Sequence, residues 1–147
     1  MSKLSHWLLL LCLILFASAF YLDIPTLFPD HWGTTATLFI LPPLALLGIC
    51  LTIWYKHWAH LLAFILFGLS FPLTFLIASL FEALSLNLPI NVNNPLVWIL
   101  IAILAIIPIL TYKIIKETAQ ASWFKSLITL IIGGLYLHFL YLTLTLL

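Results

Sequence analysis

Five long apolar stretches joined by short polar connections leave this chain few ways to fold. They cover residues 4–22, 34–55, 58–81, 95–112 and 123–147. A helix needs about 20 mostly apolar residues to cross a bilayer, and each stretch meets or approaches that length. Charged residues make up 6% of the chain, against about a quarter in a soluble domain. Mean hydropathy is +1.29. Water cannot hold such a surface without aggregation, so the solvent must be lipid. In lipid the backbone has to satisfy its own hydrogen bonds, which leaves helices or a closed barrel. No stretch alternates polar and apolar residues with period two, so a barrel is not expected. The expected fold is all-α: a single polytopic domain over residues 1–147, a five-helix transmembrane bundle.

Lysine placement sets the expected orientation. The chain has five Lys and no Arg. Lys3 precedes the first stretch, Lys56 lies between the second and third, and Lys113, Lys116 and Lys125 flank the joint between the fourth and fifth. An inside N-terminus and an outside C-terminus place every Lys in the cytoplasm, as the positive-inside rule requires. The outer side then receives Asp23, Asp30 and Glu82. The expected location is a cell inner (plasma) membrane, crossed several times. Residues 1–19 also carry signal-peptide features: Lys3, an apolar run and Ala17-Ser18-Ala19. The run continues through Phe20, Tyr21 and Leu22, so an uncleaved first span is expected.

Trp7, Trp32, Trp54, Trp58 and Trp123 fall near stretch ends, where an amphipathic ring anchors at the headgroups. Pro42-Pro43, Pro72 and Pro108 each remove a backbone donor and are expected to kink their helices. Gly48, Gly68 and Gly133-Gly134 are candidates for close backbone approach. Cys12 and Cys50 lack redox or zinc spacing and read as small buried hydrophobes.

Few residues could carry chemistry. His138 lies well inside the fifth stretch; pairing with a neighbouring helix is the expected role, and ligand or proton handling the other. His57 and His60 share a helix face at i, i+3 spacing and are weak candidates for metal or haem. No third ligand adjoins them in sequence. Asp23, Asp30 and His31 share the first outer loop without diagnostic spacing. No catalytic pair or triad is legible, so an enzyme is not favoured and no resident cofactor is expected. The net charge of +1 offers no basic patch for nucleic acid.

The segment Tyr21-Leu22-Asp23-Ile24-Pro25-Thr26-Leu27-Phe28-Pro29-Asp30-His31-Trp32-Gly33 resembles a family signature. Tyr21, Ile24-Pro25, Phe28-Pro29, His31, Trp32 and Gly33 fall on its positions without a gap. The family comprises small bacterial membrane proteins that share the uncharacterised N-terminal domain of SdpI-like immunity proteins. Thr37-Leu38-Phe39-Ile40-Leu41-Pro42-Pro43-Leu44 is similar to the start of the family's second span. Leu88-Pro89-Ile90-Asn91-Val92-Asn93 is similar to its loop before the fourth.

The resemblance implies immunity against a membrane-active peptide toxin. The contacts would be Asp23, Pro25, Pro29, Asp30, His31, Trp32, Gly33 and Glu82 on the outer side, with Trp32 an anchor and Gly33 a turn. An accessory or assembly subunit of a larger membrane complex is a second expectation, and a small-molecule or metal/haem-binding membrane protein a third. The expected partners are the lipid bilayer and either a peptide toxin or other membrane subunits.

Overall fold

A computed structural model describes residues 2–21, 32–86, 93–118 and 120–146. Six helices account for nearly all of them, and no strand occurs among the described residues. They are α1 (Ser2–Tyr21), α2 (Trp32–Tyr55), α3 (Trp58–Gly68), α4 (Ser70–Leu86), α5 (Pro95–Glu117) and α6 (Ser122–Leu146). By length and apolarity α2, α5 and α6 can each cross a membrane. The pair α3 and α4 makes a fourth crossing if taken as one bent span, while α1 is a shorter apolar helix. Large apolar side chains face outward along the bundle, among them Phe39, Leu46, Phe75, Ile106 and Leu130. Such a surface suits lipid.

Proline acts where its missing N–H matters. Pro42 and Pro43 cannot donate to Leu38 and Phe39, and the helix answers with a π-turn over Ala36–Ile40, in which the Leu41 N–H reaches Ala36. Pro72 cannot donate to Gly68. There the third stretch breaks, and α4 leaves α3 at 72°. The break therefore lies a turn before the proline expected to cause it. Pro108 does not break α5, which continues helical to Glu117. Asn94 caps α5 by accepting the Leu96 N–H at 3.0 Å, ahead of Pro95 in the first turn.

The main core joins α1, α2, α3, α5 and α6 through Leu9, Cys12, Leu41, Phe64, Ile114 and Phe124. A smaller cluster of Leu80, Leu84 and Leu100 ties α4 to α5. Helices α2 and α3 form a tight hairpin. Lys56 turns it in the left-handed region (φ 56°), and the His57 N–H closes back onto Thr52 at 3.1 Å. Small residues let the pair approach: Phe64 lies so close over Gly48 that any Cβ there would overlap its ring. Gly33 is likewise a contact residue rather than a turn, because a Cβ on it would meet the Ala19 carbonyl at 3.1 Å. Gly133 and Gly134 do not serve close approach, since nothing lies within 4 Å of their Cβ positions. Of the cysteines Cys12 is buried, but Cys50 is exposed on the bundle surface, against expectation.

Gly48→Val is expected to cost about 1–3 kcal/mol through overpacking. Phe64→Ala alone should cost about 3–5 kcal/mol, and the double variant should lose less than the sum of the two, because the new side chain occupies the vacated space. Thermal unfolding of these variants in detergent checks the pairing.

Candidate metal centre

One end of the bundle gathers the starts of α1, α3 and α6 and the ends of α2 and α5. Trp7 of α1 packs against Trp123 and Phe124 of α6. His6 of α1 packs against His57 and His60 of the α2–α3 turn and α3. All five Lys lie on these helix ends or within about a turn of them. Trp7, Trp54, Trp58 and Trp123 also stand exposed around this end.

The centre of this end is polar. Glu117, the last residue of α5, extends its carboxylate over the N-terminus of α3. It accepts the Ala59 N–H at 3.1 and 2.9 Å and the His60 N–H at 3.3 Å. First-turn amides have no partners within their own helix, and a carboxylate is the favoured guest there. The same Oε2 lies 3.1 Å from His60 Nδ1. His60 Nε2 lies 3.2 Å from the Thr118 hydroxyl, which donates to the Ile114 carbonyl at 2.7 Å. A neutral His60 carries one ring proton, which it donates either from Nδ1 to Glu117 or from Nε2 to Thr118. Both edges of the imidazole are thereby held, and its plane is set.

Two more imidazoles complete the cluster. The ring centres of His6 and His60 are 5.0 Å apart, those of His57 and His60 are 5.6 Å apart, and those of His6 and His57 are 5.8 Å apart. His6 and His60 are fully buried, while His57 is half-buried and borders the bundle surface. One ligating atom from each of His57, His60 and Glu117 lies within 4.8 Å of the others. Two imidazoles and a carboxylate suit a borderline divalent ion, with Zn–N and Zn–O bonds of about 2.0–2.2 Å. More than one positive charge among three imidazoles this close would be disfavoured by repulsion. Neutral rings are the form that binds metal.

The structure thus joins His57 and His60 to a third ligand that their local sequence does not contain. Glu117 lies 57 residues beyond His60, and His6 comes from the first turns of the chain. The signal that could have revealed them is depth. With the N-terminus inside, His6, His57, His60 and Glu117 all map to one membrane face, and Glu117 is the only acid among the Lys of that end.

The other candidate residues lie apart from this centre. Asp23, Pro25, Pro29, Asp30 and His31 fall outside the described residues. Trp32 is half-buried and donates its Nε1–H to Ser18 of α1 at 3.0 Å, and Gly33 packs on α1 beside it. Glu82 is exposed on α4. His138 is exposed on α6, 16 residues past the helix start, about 24 Å along its axis from the cluster.

No protein-family model, curated protein or solved structure matches the chain.

Glu117→Ala removes the acceptor for two α3 amides and for His60. A loss of about 1–3 kcal/mol is expected. Glu117→Gln keeps one amide acceptor and should cost less. Hydrogen exchange at Ala59 and His60 should accelerate in the alanine variant, and unchanged exchange would show that the cap does not hold α3.

Proposed function

We propose that this chain is a multi-pass membrane protein that binds one divalent transition-metal ion where α1, α3 and α5 meet. His57, His60 and Glu117 are its ligands, and the His6 ring packs against both imidazoles. The observation that carries this reading is the convergence of ligating atoms from separate helices within 4.8 Å, with the second nitrogen of His60 already held by Thr118. That hydrogen bond is the outer-shell support a metal-binding imidazole needs. Ring spacings of 5.0–5.8 Å leave room for an ion and none for a haem macrocycle. Zinc fits the donor set best. The half-buried His57 supplies the route of entry.

The five-span topology with an inside N-terminus belongs to the same reading. It is supported by the gathering of all five Lys at the end that carries the cluster. The metal then sits at the cytoplasmic face and ties the end of α5 to the start of α3.

A second reading is protection against a membrane-active peptide, contacted from outside by the loop of Asp23, Asp30 and His31. The resemblance around Tyr21–Gly33 supports it, as does the anchoring of Trp32 on Ser18, which gives that segment a fixed end on α1. It predicts survival of toxin-sensitive cells that express the chain. Full protection by a His31→Ala, Trp32→Ala variant would remove this loop from the reading.

The metal reading is tested by stripping the detergent-purified chain with chelator and titrating zinc. One zinc per chain is expected. His57→Ala, His60→Ala and Glu117→Gln should each weaken binding by about tenfold or more, while Thr118→Val weakens it less. Free zinc at about 100 times its Kd should stabilise the wild-type chain by about 2.7 kcal/mol. No stoichiometric zinc, or equal affinity in all variants, overturns the proposal.

A further inference from the structure

Helices α5 and α6 flank a second site, separate from the metal cluster. It is an open apolar groove of about 340 Å³, walled by Ile107, Pro108 and Tyr112 from α5 and by Ile132, Gly133 and Tyr136 from α6. Two threonines also line it, but their hydroxyls are spent within their own helices: Thr111 donates to Ile107 at 2.8 Å and Thr129 to Lys125 at 2.8 Å. The wall offered to an occupant is therefore hydrocarbon and aromatic. Gly133 makes the space, since a Cβ there would meet nothing within 4 Å.

The depth of the groove is informative. From Ile107 to Ile115 it follows α5 for eight residues, about 12 Å. Ile107 lies about 15 Å from the Glu117 end of the helix, which is half the roughly 30 Å hydrocarbon thickness of a bilayer. On α6 it runs from Thr129 to Tyr136, about 21 Å from the helix start at Ser122, so the groove begins in the lysine-side leaflet and ends somewhat past the midplane. That is the run of one acyl chain, whereas a crossing helix would need both leaflets.

Charge marks the mouth of the groove. Lys116 stands one turn beyond Tyr112 on α5, and Lys125 one turn before Thr129 on α6. Lys116 is exposed and Lys125 half-buried. Exposed Lys113 adjoins Tyr112. The one carboxylate at this end, Glu117, is engaged with the amides of α3 and with His60 and does not neutralise them. Tyr112, 67% exposed, has the amphipathic character of a headgroup-level residue.

We propose that the α5–α6 groove is a binding site for one anionic phospholipid, its acyl chain along Gly133 and its phosphate between Lys116 and Lys125. A basic mouth over an apolar cleft about one acyl chain long matches the two parts of such a lipid and excludes a soluble anion, which would leave the groove empty.

Native mass spectrometry of the full chain, with phosphatidylglycerol or phosphatidylcholine of matched acyl chains, tests this. One phosphatidylglycerol per chain should be retained in preference to phosphatidylcholine. Lys116→Gln and Lys125→Gln should each lower that preference about fivefold, the equivalent of ~1 kcal/mol per cation at the membrane surface. Gly133→Leu should abolish retention without lowering the unfolding temperature, because it fills open space. Gly134→Leu, one residue outside the groove, should leave retention intact. Equal retention of both lipids, or full retention by Gly133→Leu, overturns the proposal. So does a chain dimer that Gly133→Leu dissociates, because the groove would then seat a second copy.

Discussion

The carboxylate of Glu117 on the first turn of α3 is the interaction on which this end of the bundle depends. It joins two segments 57 to 58 residues apart and satisfies amides that α3 cannot pair internally. By accepting from His60 on the same oxygen, it also sets the ring that stands between His6 and His57. The contact is structural and chemical at once. The carboxylate that caps the helix also lies beside the ring nitrogens of His57 and His60.

The hairpin of α2 and α3 brings the cap into place. Lys56 turns the chain in a left-handed conformation, and Gly48 under Phe64 lets the helices close. The turn delivers His57 and His60 to the base of α1, where His6 meets them. Farther along the third stretch, the missing N–H of Pro72 releases the helix at Gly68. The 72° bend then sends α4 away from the cluster, to pack instead on α5 through Leu80, Leu84 and Leu100. The two ends of the molecule are therefore built differently. The lysine end is closely packed around polar groups, while the remainder presents apolar surface outward.

Much of the helical architecture is legible in the residue order because lipid imposes so few alternatives. Apolar stretches about 20 residues long, Asn94 ahead of Pro95 and aromatic residues near the helix ends all point the same way without reference to tertiary contacts. The effects of proline were less legible, because a proline's missing donor is felt four residues earlier and its cost depends on what surrounds that carbonyl. Pro72 broke its helix, Pro42-Pro43 shifted the hydrogen-bond register into a π-turn, and Pro108 left α5 continuous. Glycine was ambiguous for a similar reason. Gly48 and Gly133 look alike in sequence, yet one lies under a phenyl ring and the other opens a groove.

By itself the order of residues determined that the chain is helical, that lipid is its solvent and that its Lys can share one face. These follow from local hydropathy and charge, which act residue by residue. Only the tertiary structure decided that His6, His57, His60 and Glu117 form one cluster, and that Gly133 and Pro108 face a common groove. Those groupings depend on which helix faces which neighbour. In an almost uniformly apolar chain, the hydrophobic pattern carries little information about that choice. Close packing at Gly48 and the few buried hydrogen bonds supply it instead.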